Sequence, residues 1–96
     1  MPLFAVINTR GPAYRRGAPM EEQEAWRPHA DFMNALHAEG FVALGGPLAE
    51  SDVLLIVRAD SDGMIRARLA ADPWHEMGLL RIKSILPWTP RLSTLP

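Results

Sequence analysis

His29 is the side chain of this sequence that is best placed for acid–base chemistry. It lies on a predicted apolar helix stripe with Trp26 and Met33. A histidine in such a place is either a core residue satisfied by a backbone carbonyl, or a group that takes and returns a proton. Histidine titrates near neutral pH, and a positioned base of this kind accelerates reactions by about 10²–10⁴-fold. We keep both interpretations open on the residues alone.

The other two histidines do not complete a metal site. His37 follows His29 by eight positions, which places the two side chains about 80° apart around a helix axis. Zinc sites use ligands at tight, paired spacings, and His75 supplies no such pair. The glycines at 45–46 are not followed by a helix, so they do not form a phosphate-binding loop. We therefore expect no metal and no cofactor.

Three tryptophans, Trp26, Trp74 and Trp88, are many for 96 residues. Aromatic side chains in a small domain usually fill the core or an interface. Trp74 follows an Asp-Pro pair and is the strongest candidate to wall a pocket, with Trp26 as a second candidate. Packing in the core is the simpler interpretation of both.

A glycine- and proline-rich segment at 8–20 carries Arg10, Tyr14, Arg15 and Arg16. We predict a mobile loop here. Arg10 and Tyr14 are candidate substrate-binding residues, because such a loop could close over an anionic ligand. A solvated loop without that function is the simpler alternative.

Composition restricts the class of protein. The apolar fraction is 48% and the charged fraction 22%, as in ordinary globular domains. Ten basic and eleven acidic residues give a net charge of −1, which argues against a nucleic-acid partner. There is no cysteine, and the apolar N-terminal run is too short for a signal peptide or a membrane span. We expect a cytoplasmic protein with a small-molecule ligand and no membrane partner.

The hydrophobic pattern predicts four strands and two helices. The helix around His29 should begin or kink at Pro28 and stop at Gly40, and Ser61 should cap the second helix. Asp72-Pro73 should stop that second helix, and one further turn should follow. The predicted strands are 3–7, 41–44, 53–57 and 80–86, the predicted helices are 21–39 and 61–71, and the single domain 1–88 is followed by a tail at 89–96.

The order β-α-β-β-α-β predicts an α+β, ferredoxin-like sandwich. Helices on one side leave the other face of the sheet uncovered, and that face contains valine, leucine and isoleucine. An apolar face of this kind needs a partner. Because two-fold dimers are the commonest oligomers, we expect a homodimer formed by packing sheet against sheet.

Four segments together resemble the YCII-related (YciI-like) family. They are W-R-P-H-A-D-F-M (26–33), G-F-V-A-L-G-G-P-L (40–48), L-A-A-D-P-W (69–74) and the closing R-I-K-S-I-L-P-W (81–88). The resemblance covers nearly all of 4–88. It implies a dimeric α+β barrel with a His–Asp pair between helix and sheet, and it carries that pair onto His29 and Asp72 as candidate catalytic residues. Many relatives have an arginine where this chain has Trp26.

Asp72 has two interpretations once the resemblance is considered. At the end of the second helix an aspartate meets the negative end of the helix dipole, so its presence needs a reason. The plain reason is that Asp before Pro makes a good helix-stopping turn. The functional reason is that Asp72 accepts a hydrogen bond from His29 Nδ1–H and fixes the tautomer.

Two functions from different classes follow. The first is a cofactor-free enzyme of lyase or isomerase type, in which His29 moves a proton during an elimination or isomerisation of an aromatic or lactone-type compound. Few relatives have an assigned reaction, and one resembles a dehydrochlorinase of chlorinated aromatic breakdown. The second is a non-catalytic dimer that binds a small ligand or has a structural role. An oxygen-using monooxygenase would rest on fold analogy alone.

Overall fold

The first strand, β1, buries every second side chain and sets the two faces of the sheet. In the computed structural model, which describes residues 2–93, Phe4, Val6 and Asn8 of β1 are buried and the residues between them are partly exposed. The strands are β1 (Leu3–Arg10), β2 (Val42–Leu48), β3 (Asp52–Arg58) and β4 (Leu80–Trp88). The helices are α1 (Trp26–Ala38), α2 (Asp62–Leu69) and α3 (Pro73–Glu76), with a 3-10 turn at Met20–Glu22.

All neighbouring strands pair antiparallel, in the order β2-β3-β1-β4. This order places β3 and β1 in the centre and the other two strands at the edges. The α+β, ferredoxin-like fold is thereby confirmed. The apolar run of β3 is central, as its pattern predicts.

The core lies between the sheet and the two longer helices. Phe4, Val6, Leu55 and Val57 of the sheet pack against helical side chains that are also buried. Those helical side chains are Leu36 of α1 and Ile65 and Leu69 of α2. A second, smaller cluster joins Tyr14, Trp74, Leu79 and Leu80 near α3.

The opposite face of the sheet carries an apolar surface that lies outside both core clusters. Strand register places on it the following side chains: Leu3, Ala5, Ile7, Leu54, Ile56, Leu86 and Trp88. Leu86 and Trp88 at the β4 edge are 52% and 45% exposed. No helix of the described residues packs on this face.

Two helix ends follow the sequence prediction. Ser61 Oγ accepts a hydrogen bond from Met64 N at 3.2 Å and caps α2. Gly40 has φ +88° after the end of α1, and Phe41 N donates to Leu36 O at 3.0 Å, which is a Schellman ending. Both ends satisfy backbone groups that would otherwise lack partners.

All four strands are longer than predicted, β3 by one residue at each end. β1 continues to Arg10, so the predicted loop at 8–20 begins three residues later. β2 continues through Gly45, Gly46 and Pro47, whereas the predicted strand ends at 44. A proline is tolerated there because β2 is an edge strand and needs hydrogen bonds on one side only. β4 likewise passes through Pro87 at the other edge.

The remaining differences concern the helix ends and the tail. The segment before Trp26 forms a 3-10 turn rather than helix, and Pro28 lies in the first turn of α1, where its missing N–H costs little. Residues 89–93 are neither strand nor helix, while Met1 and the end of the predicted tail, 94–96, lie outside the described residues. None of the described helices is long and apolar enough to cross a bilayer.

Candidate functional site

The start of α1 and the start of α3 bring His29 and Asp72 together. His29 Nδ1 lies 2.9 Å from both carboxylate oxygens of Asp72. Both residues are buried, with Asp72 1% and His29 8% exposed. The carboxylate accepts from Nδ1–H, which leaves Nε2 as the ring nitrogen free to exchange a proton. Nε2 forms no hydrogen bond with any described residue.

Asp72 is held in place by the backbone of α3. Its Oδ1 accepts from Trp74 N at 3.0 Å, so Asp72 is the N-cap of α3, with Pro73 as the first residue of that helix. The expectation that Asp72 ends the second helix was wrong, because α2 stops at Leu69. The carboxylate therefore lies where a helix start favours negative charge, and it needs no special reason to be there.

The indole of Trp74 forms one wall against the imidazole. The two rings stack with centroids 3.9 Å apart and an angle of 4° between their planes. Trp74 is itself buried, and its Nε1 donates to Glu24 O at 2.7 Å. Trp26 lies farther off, with its ring centroid 6.0 Å from that of His29. The imidazole is thus fixed by a hydrogen bond at one edge and by an aromatic face beside it.

A cavity of about 470 Å³ opens between α1 and the β2 side of the sheet, next to His29. This volume lies in the range of small-molecule sites, roughly 300–1,000 Å³. His29 and Trp74 both line it. The other described lining residues are Asn8, Met20, Met33, Asn34, His37, Val42, Ala43, Leu44, Gly45, Gly46, Pro47, Val53, Leu55 and Leu80.

Sequence reasoning missed several of these residues, and Asn8 above all. Asn8 was read as the first residue of a loop, but it lies in β1 and is 2% exposed. The period of two through Phe4 and Val6 is the signal that could have found it, had the strand been extended. His37 also lines the cavity, where its Nδ1 donates to Val42 O at 2.9 Å. Glycine at 45 makes room, since a Cβ there would lie 2.6 Å from Leu55 Cδ2.

Arg10 and Tyr14 do not line the described cavity. Tyr14 is buried and meets the Trp74 ring edge-on at 6.2 Å, and the Arg10 guanidinium lies 4.4 Å from the Tyr14 ring centre. Tyr14 therefore packs directly against Trp74, and Arg10 packs on Tyr14. Their proposed contact with a ligand stays a prediction.

The loop that carries Tyr14 is tied down by Gln23. The Gln23 side chain accepts from Arg15 N at 2.9 Å and donates to Arg15 O and Ala18 O. Gln23 is 4% exposed, so these bonds are shielded from water. Three bonds from one buried amide hold the loop against the second core cluster, whereas the sequence had suggested a mobile segment.

His75 lies near the pair, on the other side of α3. Burial lowers the pKa of His75 below its ordinary value of 6.5; the Asp72 charge opposes this shift, and His29 adds to it. Its Nε2 is buried and has no hydrogen-bond partner among the described residues. The neutral imidazole is thus the favoured form in the folded chain.

The described residues hold no cluster of three or more His, Cys, Asp or Glu side chains that could bind a metal ion. The geometry of the His29–Asp72 pair is suited to proton transfer at Nε2 of His29. Asp72 would orient the ring and stabilise the imidazolium that forms, and the apolar walls would exclude water. This is the chemistry of a general base in a largely apolar pocket.

Comparison with known proteins agrees with the resemblance noted in the sequence. A family model, the YCII-related domain, matches residues 3–89. No curated protein matches the chain. Because the family model spans nearly the whole sequence, this chain belongs to the YCII-related domain family.

Proposed function

We propose that this protein is a cofactor-free enzyme that moves a proton on a small, largely apolar molecule. The observation that carries the proposal is the contact of His29 Nδ1 with both oxygens of Asp72, at 2.9 Å, beside a cavity of about 470 Å³. A buried imidazole with one nitrogen held and the other free is arranged as a general base.

The proposed step begins with a C–H group of the substrate next to His29 Nε2. Nε2 takes the proton, and the electron pair of the C–H bond remains on the substrate. In an elimination this pair forms a double bond as a leaving group departs with its own electron pair. In an isomerisation the imidazolium returns the proton to a different atom. Asp72 is a positioning residue throughout, because it contacts the imidazole and the backbone of Trp74 and does not line the cavity in which the substrate would lie.

The alternative is a non-catalytic small-ligand-binding or structural module. It is favoured by the capping bond from Trp74 N to Asp72, since a residue that caps α3 has a structural task whether or not chemistry occurs. In that case the His29–Asp72 bond contributes about 1–3 kcal/mol to stability and nothing to turnover.

Hydrogen–deuterium exchange of 2-indanone in D₂O, followed by NMR, tests the proposal. This uncharged ketone has acidic C–H groups and an apolar frame that suits the cavity. We expect the wild-type protein to accelerate exchange above the buffer rate, and His29→Gln to remove about 10²-fold or more of that acceleration. Asp31→Asn, on the exposed face of the same helix, is the matched control and should exchange as wild type does.

Equal exchange by the wild-type protein and His29→Gln would support the non-catalytic alternative. A thermal melt of both proteins completes the comparison. If His29→Gln folds with a much lower Tm and ligand affinity is unchanged, the histidine is structural. A catalytic group shows the opposite behaviour, because removal of a polar group from an active site commonly leaves stability unchanged or increased.

We also propose that the protein works as a homodimer in which the apolar sheet faces of two copies pack together. The face comprises residues of all four strands, since Leu44 of β2 pairs with Ile56 of β3, and the side chains of Leu86 and Trp88 are about half exposed. A second copy is the occupant that matches this face in size and apolar character, and two-fold closure leaves no unpaired surface.

A further inference from the structure

We propose that Asn8 is the polar anchor of the cavity beside His29. The ligand it anchors is an uncharged, mostly apolar molecule that donates one hydrogen bond, from a hydroxyl or N–H group, to the Asn8 side-chain oxygen. The inference rests on the proposed function, because it describes what the same site binds. It adds a binding residue and a substrate class.

The burial of Asn8 is the first observation. The residue is 2% exposed on the helix-facing side of β1, where Val53 of β3 and Ile82 of β4 are its strand partners. Its Oδ1 is buried and has no hydrogen-bond partner in the described chain. A buried polar group without a partner costs free energy comparable to a lost hydrogen bond.

The neighbours of Asn8 along β1 show that a polar side chain is unexpected at this position. Phe4 and Val6 precede it on the same face and are both core residues. An aliphatic side chain at position 8 would continue this pattern and remove the penalty. Unsatisfied buried polar groups are uncommon, and each calls for an explanation such as a missing partner. Because Asn8 lines the cavity together with His29, a ligand bound there can supply that partner.

The charge of the cavity decides the class of ligand. Among its described lining residues there is no Lys, Arg, Asp or Glu. A carboxylate or phosphate bound there would lose its hydration without gaining a fixed counter-charge, which is unfavourable. The polar lining residues are Asn8, His29, Asn34 and His37, and the remainder are apolar side chains or glycine. Such a lining suits a neutral molecule with few polar groups.

Three small probes separate the contributions of ring, donor and charge. Phenol has an aromatic ring and a hydroxyl donor, anisole has the same ring without the donor, and benzoate carries a negative charge. Dissociation constants are measured by NMR chemical-shift titration at neutral pH. We expect the wild-type protein to bind phenol about tenfold more tightly than anisole, and benzoate most weakly.

Asn8→Leu should abolish this preference. We expect the variant to bind phenol and anisole equally, and to melt at a Tm a few degrees higher because the unpartnered amide oxygen is gone. Thr9→Val, one residue along β1 on the opposite face, is the control and should keep the preference for phenol. Should Asn8→Leu fail to fold, Asn8→Ala replaces it with the same expectation for binding.

The outcomes distinguish this inference from the proposed function. Equal binding of phenol and anisole by the wild-type protein, or an unchanged preference in both Asn8 variants, overturns the inference. So does a lower Tm in Asn8→Leu together with unchanged binding, since that result makes the amide structural. A lost preference combined with no 2-indanone exchange by the wild-type protein upholds Asn8 as the anchor and refutes only proton transfer by His29.

Discussion

Asp72 belongs both to the candidate catalytic pair and to the start of α3. One carboxylate, 1% exposed, accepts a hydrogen bond from the imidazole of His29 and another from the backbone of Trp74. The same Trp74 stacks on that imidazole. The orientation of the ring and the start of α3 are therefore fixed by the same atoms, so a change at Asp72 must affect both stability and any proton transfer.

Asp72→Asn tests whether the carboxylate sets the tautomer of His29. The amide keeps the shape of the side chain, but its NH₂ group can donate to Nδ1 and so place the proton on Nε2. We expect exchange of 2-indanone to fall by about 10²-fold or more, and the free energy of unfolding by about 1–3 kcal/mol. Phenol affinity should change little, because Asp72 does not line the cavity.

The control for this experiment is Asp62→Asn, an exposed aspartate in the first turn of α2. It loses the same charge at a distance from the pair and should keep wild-type exchange. If Asp72→Asn exchanges 2-indanone as fast as Asp62→Asn does, the carboxylate has no part in orienting the base, and its function is limited to capping α3.

His75 gives the protein a predictable response to acid. Burial lowers its pKa in the folded state below the ordinary 6.5, so between these two values the unfolded chain binds more protons. The free energy of unfolding should therefore fall as pH drops through that window, and His75→Gln should flatten the curve. Urea denaturation at about pH 7.5 and about pH 5.5 measures the slope. A variant with the full wild-type slope would contradict this assignment.

At the scale of elements, the site depends on a close contact between the end of β1 and the segment after α3. Gly11 N donates to Leu79 O at 2.8 Å, and Ala13 N donates to Gly78 O at 3.1 Å. A Cβ at Gly11 would lie 2.1 Å from the Gly78 carbonyl oxygen, so only glycine permits this approach. The contact places Tyr14 against Trp74, and thereby supports the wall of the cavity.

Gly11→Ala should destabilise the protein by about 1–3 kcal/mol, because the backbone has to move and the two hydrogen bonds weaken. Gly17→Ala in the same loop is the matched control, since a Cβ there meets no atom within 4 Å. It should lie within about 0.5 kcal/mol of wild type. Urea denaturation compares the three proteins, and equal stability of the two variants would refute the close-contact argument.

The sequence predicted helix ends correctly where a single residue sets the boundary. Ser61 and Gly40 mark helix ends through side-chain capping and positive φ, which are properties of the residue itself. Gly46 and Pro47 led to a wrong strand end, because such residues stop a central strand but are tolerated in an edge strand. Whether a strand lies at the edge of the sheet cannot be read from the local sequence pattern. Asn8 was missed for a different reason: it lies in the central strand β1, and the Gly11-Pro12 pair shortly after it suggested an earlier strand end.

The pairing at the site needed more than local reasoning. His29 and Asp72 are 43 positions apart, and no periodicity connects them. The family resemblance brought the two residues together, while the helix pattern alone left Asp72 at the wrong end of a helix. The cavity could not be predicted from local patterns either, because its walls come from all four strands and from α1 and α3, and they exist only once these elements are packed.

At the scale of the whole molecule, the sheet has one face covered by helices and one apolar face outside both core clusters. Ile56 and Leu54 lie in the middle of the second face, and Leu86 and Trp88 lie toward its β4 edge. Ile56 is buried within the single chain, but a monomer would leave Leu86 and Trp88 about half exposed to water, which is unfavourable in proportion to the exposed apolar area. The net charge of −1 adds little repulsion between copies.

Leu86→Glu is the test of the proposed sheet-to-sheet homodimer. A carboxylate on each copy within the contact would have to be buried without a partner, so association should be lost. Light scattering after gel filtration should give twice the 10.7 kDa chain mass for wild type and the single chain mass for the variant. Leu92→Glu removes an equally apolar side chain that is 95% exposed beyond β4 and should stay dimeric. A wild-type protein that is monomeric at every concentration tested would contradict the proposal, and the apolar face would then need a different partner.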